Sequence, residues 1–189
     1  MDNKTREAIG KALLENAKLP RAHASYFNWK DKEVKELNIS GHLARHIHST
    51  GVEIANIKLG GDPPDVIFET NDGPIGVELV ELVDNQAIQD QIHKRVEYLE
   101  QPKWTSDRFV EEVNRLVSIK DKPSNVNELM GVYDEYICLI HTDEPDLVSP
   151  SRENVINSHG ITETNLITQV YLVVSYDPQQ DKFPIYRLK

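Results

Sequence analysis

The feature that most constrains this chain is a change of period between residues 52 and 82. Val52, Ile54, Ile57 and Leu59 alternate with polar residues, so 52–59 predicts a strand. Asp65 to Glu69 predicts a second strand and Ile75 to Leu82 a third. Gly60-Gly61-Asp62-Pro63 forms the turn between the first two. Asn71-Asp72-Gly73 is a hairpin signal between the second and third, because these residues tolerate the positive φ of a tight turn. Three strands joined by such short turns make an antiparallel meander.

Helical spacing surrounds this meander. Residues 3–18 predict a helix with Ile9, Leu13 and Leu14 on one side, ended by Leu19-Pro20. Tyr26, Phe27 and Trp29 would anchor the connection that follows. Residues 31–49 predict a second helix with a stripe of Val34, Leu37, Leu43 and Ile47, bent or interrupted at Gly41. Helices are expected over 86–101, stopped by Pro102, and over 106–119, with Ser106 as N-cap and Asp107 in the first turn. Beyond them come a loop at 120–127, a strand at 133–141, an acidic loop at 142–150 and a short helix at 151–158. Strands at 168–175 and 183–188 complete the order. This pattern predicts an α/β fold: a mixed central sheet, containing the three-strand meander, flanked by helices. Residues 1–30 read as an N-terminal helical appendage and 31–189 as the α/β domain.

Composition narrows the function classes. The longest apolar runs, Ile137–Ile140 and Val170–Val174, are far too short to cross a bilayer. No apolar leader follows the first charges, and Cys138 is the only cysteine, which fits a reducing, cytoplasmic setting. Cys138 lies in an apolar run and reads as a small core residue rather than a reactive thiol. The net charge of −10 disfavours nonspecific nucleic-acid binding, but its distribution is uneven. Residues 1–48 hold nine Lys/Arg against six Asp/Glu, so a phosphate-facing surface would draw on that part, with Lys94, Arg95, Lys103 and Arg108 nearby. An acidic interaction subunit for a basic protein partner is the reading that charge alone supports.

The chemistry-bearing segment is Pro64-Asp65-Val66-Ile67-Phe68, the turn, then Gly76-Val77-Glu78-Leu79-Val80. A tight hairpin puts Asp65 and Glu78 on neighbouring strands about 5 Å apart. Two carboxylates so close repel one another, and a hard divalent cation with oxygen ligands is their natural partner. On that argument, removing either carboxylate from the metal-free protein should relieve repulsion.

This segment resembles the core of the PD-(D/E)XK, or restriction-endonuclease-like, superfamily: a Pro-Asp, a hairpin, an acidic residue, one spacer and usually a lysine. The resemblance covers roughly residues 31–143. It implies a restriction-endonuclease-like fold and metal-dependent hydrolysis of DNA or RNA phosphodiesters. Asp65 and Glu78 would hold Mg2+ or Mn2+, with a backbone carbonyl near Leu79. Glu33 or Glu36 on the preceding helix would add a carboxylate, Glu36 being the one assigned to the metal. Val80 stands where the family has its lysine. Lys94 is the first candidate to replace it and Lys58 the second. A non-catalytic binding or interaction protein on the same fold is the alternative. Glu81 should point away from the face of Glu78.

His42 and His46 stand four apart and would share a helix face, as a metal-binding pair does. No Glu completes an H-E-x-x-H arrangement, so these histidines, with His48, are expected to face solvent beside a basic surface.

Overall fold

A computed structural model of the protein describes residues 32–61, 63–94, 104–148, 153–156, 160–177 and 180–189. The expected helix at 3–18, the connection after it and the N-terminal appendage lie outside the described residues. The described chain is an α/β fold around a six-stranded mixed sheet. Helix α1 (Lys32–Ser49) leads into strands β1 (Ile54–Leu59), β2 (Val66–Thr70) and β3 (Gly73–Glu81). Helices α2 (Asn85–Lys94), α3 (Ser106–Lys120) and α4 (Pro123–Leu129) follow, then β4 (Glu135–Thr142). Short helices α5 (Pro145–Val148) and α6 (Glu153–Ile156) precede β5 (Gln169–Val174) and β6 (Ile185–Arg187). No described helix is long and apolar enough to cross a membrane.

The strands lie in sequence order. β1, β2 and β3 pair antiparallel, as the turn chemistry predicted. The β2–β3 turn is as tight as expected, since Thr70 pairs with Gly73 across Asn71-Asp72. Gly73 adopts φ +129°, and a Cβ there would collide with the Asp134 carboxylate. β3–β4 and β4–β5 are parallel, which requires the helical crossovers between them, and β6 returns antiparallel to β5.

Two apolar layers sandwich the sheet. On one face Ile39, Leu43, Ala44 and Ile47 of α1 pack on Val66, Phe68, Val77, Leu79, Ile137 and Leu139. On the other, Phe109, Val113, Leu116 and Val117 of α3 pack on Tyr136, Cys138, Ile140, Val170 and Leu172. Burial on both faces is why β4 and β5 read as near-continuous apolar runs.

The structure corrects several details. Leu43 and Ile47 of the expected α1 stripe are buried, but Val34 is exposed and Leu37 half-buried, and Glu36, Ile39 and Ser40 complete the buried face. Gly41 does not interrupt α1, because its missing side chain faces only the Arg45 guanidinium. Thr105, not Ser106, caps α3: its backbone is extended and its hydroxyl accepts the Arg108 N–H at 3.3 Å. The loop expected at 120–127 contains α4, started by Pro123 at a position where its absent N–H costs nothing. The acidic loop at 142–150 contains α5.

Candidate functional site

The site is built where β2 begins. Val66 pairs with Val77, so Asp65 stands across from Glu78. Both carboxylates are buried. The alternation that turns Val66, Val77 and Leu79 toward α1 turns Glu78 toward α3. Asp65 is fixed by the strand beside it: its Oδ2 accepts the Leu79 N–H at 2.7 Å. Leu79 therefore contributes an amide donor to the site. That bond revises the expectation that removing Asp65 relieves the metal-free protein, because it would strand a buried N–H.

Glu78 takes a donor at each oxygen. Lys120 Nζ donates to Oε1 at 2.7 Å, and the Tyr136 hydroxyl donates to Oε2 at 3.2 Å. Burial, followed by the nearby Glu78 charge, raises the Tyr136 phenol well above its ordinary pKa, so it stays a donor. Tyr136 comes from β4, whose parallel pairing sets it opposite Gly76, two residues before Glu78. A Cβ at Gly76 would lie 2.7 Å from the Tyr136 ring, so glycine there lets the ring lie flat on the strand.

Lys120 is the last residue of α3 and is held from two sides. Asn125 Nδ2 donates to its carbonyl at 3.0 Å. The next residue, Asp121, accepts the N–H groups of Asn165 and Leu166 at 2.8 Å and of Ile167 at 3.1 Å. Burial alone would raise the Asp121 pKa, but these donors outweigh it and hold it below the ordinary value. The end of α3 is thereby tied to the segment leading into β5, and its lysine is delivered to Glu78.

The third carboxylate is Glu36, from the first turns of α1. Its pKa is raised, by burial first and then by the adjacent Asp65 charge, with Lys32 opposing both. The Lys32 ammonium stands 3.3 Å from Glu36 and 3.8 Å from Asp65. This largely exposed cation already sits between two buried carboxylates. A hard divalent ion suits the same oxygens. Among the described residues no three His, Cys, Asp or Glu side chains are gathered as a ready metal-binding group, since Glu78 is turned toward Lys120 and Tyr136. Each carboxylate oxygen keeps further lone pairs, so these hydrogen bonds leave room for coordination.

The other expected residues fall elsewhere. Lys58 pairs with Glu69 on the exposed part of β1 and β2, so its ammonium is engaged away from Asp65 and Glu78. Lys94 ends α2, and its side chain lies outside the described residues. Glu33 is exposed. Val80 packs against the α3-side core. Glu81 pairs with Lys35 of α1 at 3.4 Å, pointing away from Glu78 as expected. Cys138 is fully buried, and burial pushes its thiol up to about 12.

The histidines depart from expectation. His42 stacks on Phe183 with ring centroids 3.7 Å apart, and His46 meets Tyr171 edge-on at 6.0 Å. Of these three, only His48 is exposed. The chain matches no protein-family model, no curated protein and no solved structure.

Proposed function

We propose that the protein is a metal-dependent phosphodiesterase acting on nucleic acid, on a restriction-endonuclease-like arrangement of its sheet. The observation that carries this reading is the Lys120–Glu78 contact at 2.7 Å beside a strand-locked Asp65. Asp65 and Glu78 stand on neighbouring strands, with Glu36 beside Asp65 and the Lys120 ammonium on Glu78. Buried carboxylates held beside one another are costly to maintain, and such groups are candidates for a working site.

Glu36, Asp65 and Glu78 would hold Mg2+ or Mn2+, which when bound supplies charge at the phosphate and a more acidic water. The chain's own groups do the rest. Leu79 N–H fixes the Asp65 carboxylate in one orientation. Tyr136 does the same for Glu78. Lys120, held by the α3 terminus, offsets negative charge that grows on the phosphate oxygens as water attacks phosphorus and the P–O bond breaks. Lys32, largely exposed, would give way at Glu36 and Asp65 to a divalent cation.

The test is cleavage of labelled single- and double-stranded DNA and RNA with Mn2+, Mg2+ or chelator, by wild type and Asp65→Asn. Metal-dependent cleavage lost in Asp65→Asn is the expected result. A folded, metal-binding protein that cleaves none of these substrates would favour a non-catalytic binding role for the same site.

A further inference from the structure

A second site lies farther along α1. A groove of about 500 Å3 runs between α1 and the β5–β6 end of the sheet, lined by His42, Arg45, His46, Tyr176, Lys182 and Phe183. Its size is that of small-molecule sites. Three rings are already arranged there: His42 lies 3.7 Å from Phe183 at 36°, and Tyr176 meets Phe183 at 5.5 Å and 61°. Tyr176 and Phe183 are half-buried, whereas Arg45 and Lys182 are exposed.

The charges are placed for a ligand rather than for one another. Arg45 donates to His42 Nδ1 at 2.8 Å, a neutral acceptor. Burial, then the Arg45 charge, lowers His42 to about 4, so at neutral pH it serves as a ring and not as a cation. Neither Arg45 nor Lys182 has a carboxylate partner among the described residues. Asp181, the groove's carboxylate, accepts from the Tyr176 hydroxyl at 2.6 Å. On a chain of net charge −10, cations left unpaired beside aromatic rings stand out.

We propose that this groove binds the nucleotides of a single nucleic-acid strand, its rings taking the bases and Arg45 and Lys182 the phosphates. Aromatic platforms flanked by cations are how single strands are held without sequence preference. The inference rests on the reading of the carboxylate site as acting on nucleic acid, and it supplies the surface that holds the strand. The two lie on one helix. Glu36 and Arg45 are nine residues apart, roughly 14 Å of helix axis and about two and a half turns, so they leave α1 on opposite sides.

The test is fluorescence anisotropy of the full chain with a labelled oligo-dT or oligo-U of about 12 nucleotides, in chelator so that nothing is cleaved. Wild type, Arg45→Ala, Lys182→Ala, Phe183→Leu and Asp65→Asn are compared, each first checked for an unchanged melting profile. Arg45→Ala and Lys182→Ala should each weaken binding about tenfold and reduce the salt slope by roughly one. Phe183→Leu should weaken binding about tenfold with the slope unchanged. For wild type, a strand of abasic sugars should bind less tightly than oligo-dT, a result that needs no variant to fold. Equal affinity for the abasic strand would reduce the groove to a plain anion surface and overturn the proposal, as would wild-type binding by all three groove variants. Asp65→Asn should bind as wild type does. A chain that binds through the groove and cleaves nothing leaves the groove standing and removes the hydrolase reading. A chain that cleaves equally well without Arg45, Lys182 and Phe183 does the reverse.

Discussion

Lys120 Nζ lies 2.7 Å from Glu78 Oε1, although the two residues are 42 apart in sequence and sit on different layers of the fold. The Lys120 ammonium thus reaches this carboxylate from the helix above it. The Val80 side chain fills core space under α3, and the end of that helix supplies the charge.

Tyr136 orients the other oxygen of Glu78, so its role is separable from that of Lys120. Tyr136→Phe keeps the buried ring and loses one hydrogen bond to a carboxylate. Stability should fall by about 1 kcal/mol. Cleavage should drop roughly tenfold in kcat with KM little changed, because the substrate does not touch the hydroxyl. Denaturant midpoints and steady-state kinetics on one preparation check both.

Asp65→Ala and Asp65→Asn should behave differently without metal. Alanine leaves the buried Leu79 N–H without its acceptor and should cost about 1–3 kcal/mol. Asparagine keeps an oxygen there and should melt near wild type. With Mn2+ or Mg2+, wild type should gain melting temperature by mass action, and neither variant should. A metal response retained in both would contradict the assignment of Asp65.

Gly76 has no room for a side chain, since an added Cβ would sit 2.7 Å from two Tyr136 ring carbons. Gly76→Ala should destabilise by about 1–3 kcal/mol through overpacking and should shift Tyr136 from Glu78. Gly61→Ala, with nothing within 4 Å of the added carbon, is the neutral control. Thermal melts of the two variants give the comparison.

Acid should weaken the fold through its histidines. Burial, with Lys35 adding to it, lowers His141 to about 3, and burial with Arg45 lowers His42 to about 4, both from 6.5. Below pH 6.5 the unfolded chain takes up protons that the folded chain refuses. Stability should therefore fall as pH drops from about 6.5 toward 4, and these groups should add no slope above 6.5. For His141, 3% exposed, the slope approaches about 1.4 kcal/mol per pH unit. Glu36, raised by burial and Asp65, acts in the opposite sense above its ordinary value. Urea midpoints at pH 5 and 7.5 for wild type and His141→Leu read the effect; equal midpoints for wild type would contradict it.

The meander, its turn and the Asp65–Glu78 juxtaposition were legible because strand alternation and Asn-Asp-Gly turn chemistry are local properties. Glu36 was assigned over Glu33 from the sequence, and packing buries Glu36 while leaving Glu33 exposed. Lys120 was missed because the sequence reading ended the helix at Ile119 and placed Lys120 in a loop. A signal was present: Phe109, Val113 and Leu116 set a buried stripe, and Lys120 continues it four residues on. A cation at the end of an apolar stripe requires a carboxylate, and Glu78 is that carboxylate. The histidine surroundings were not legible, since Phe183 and Tyr171 reach His42 and His46 from distant parts of the chain.

The most direct test of the account is chemical rescue at residue 120. Lys120→Ala should lower Mn2+-dependent cleavage of nucleic acid by about 100-fold or more while retaining the metal-induced rise in melting temperature. Added ethylamine should restore part of the rate in proportion to its concentration, and should do nothing for Asp65→Asn. Wild-type turnover in Lys120→Ala, beside an inactive Asp65→Asn, would contradict the claim that Lys120 supplies the charge missing at Val80.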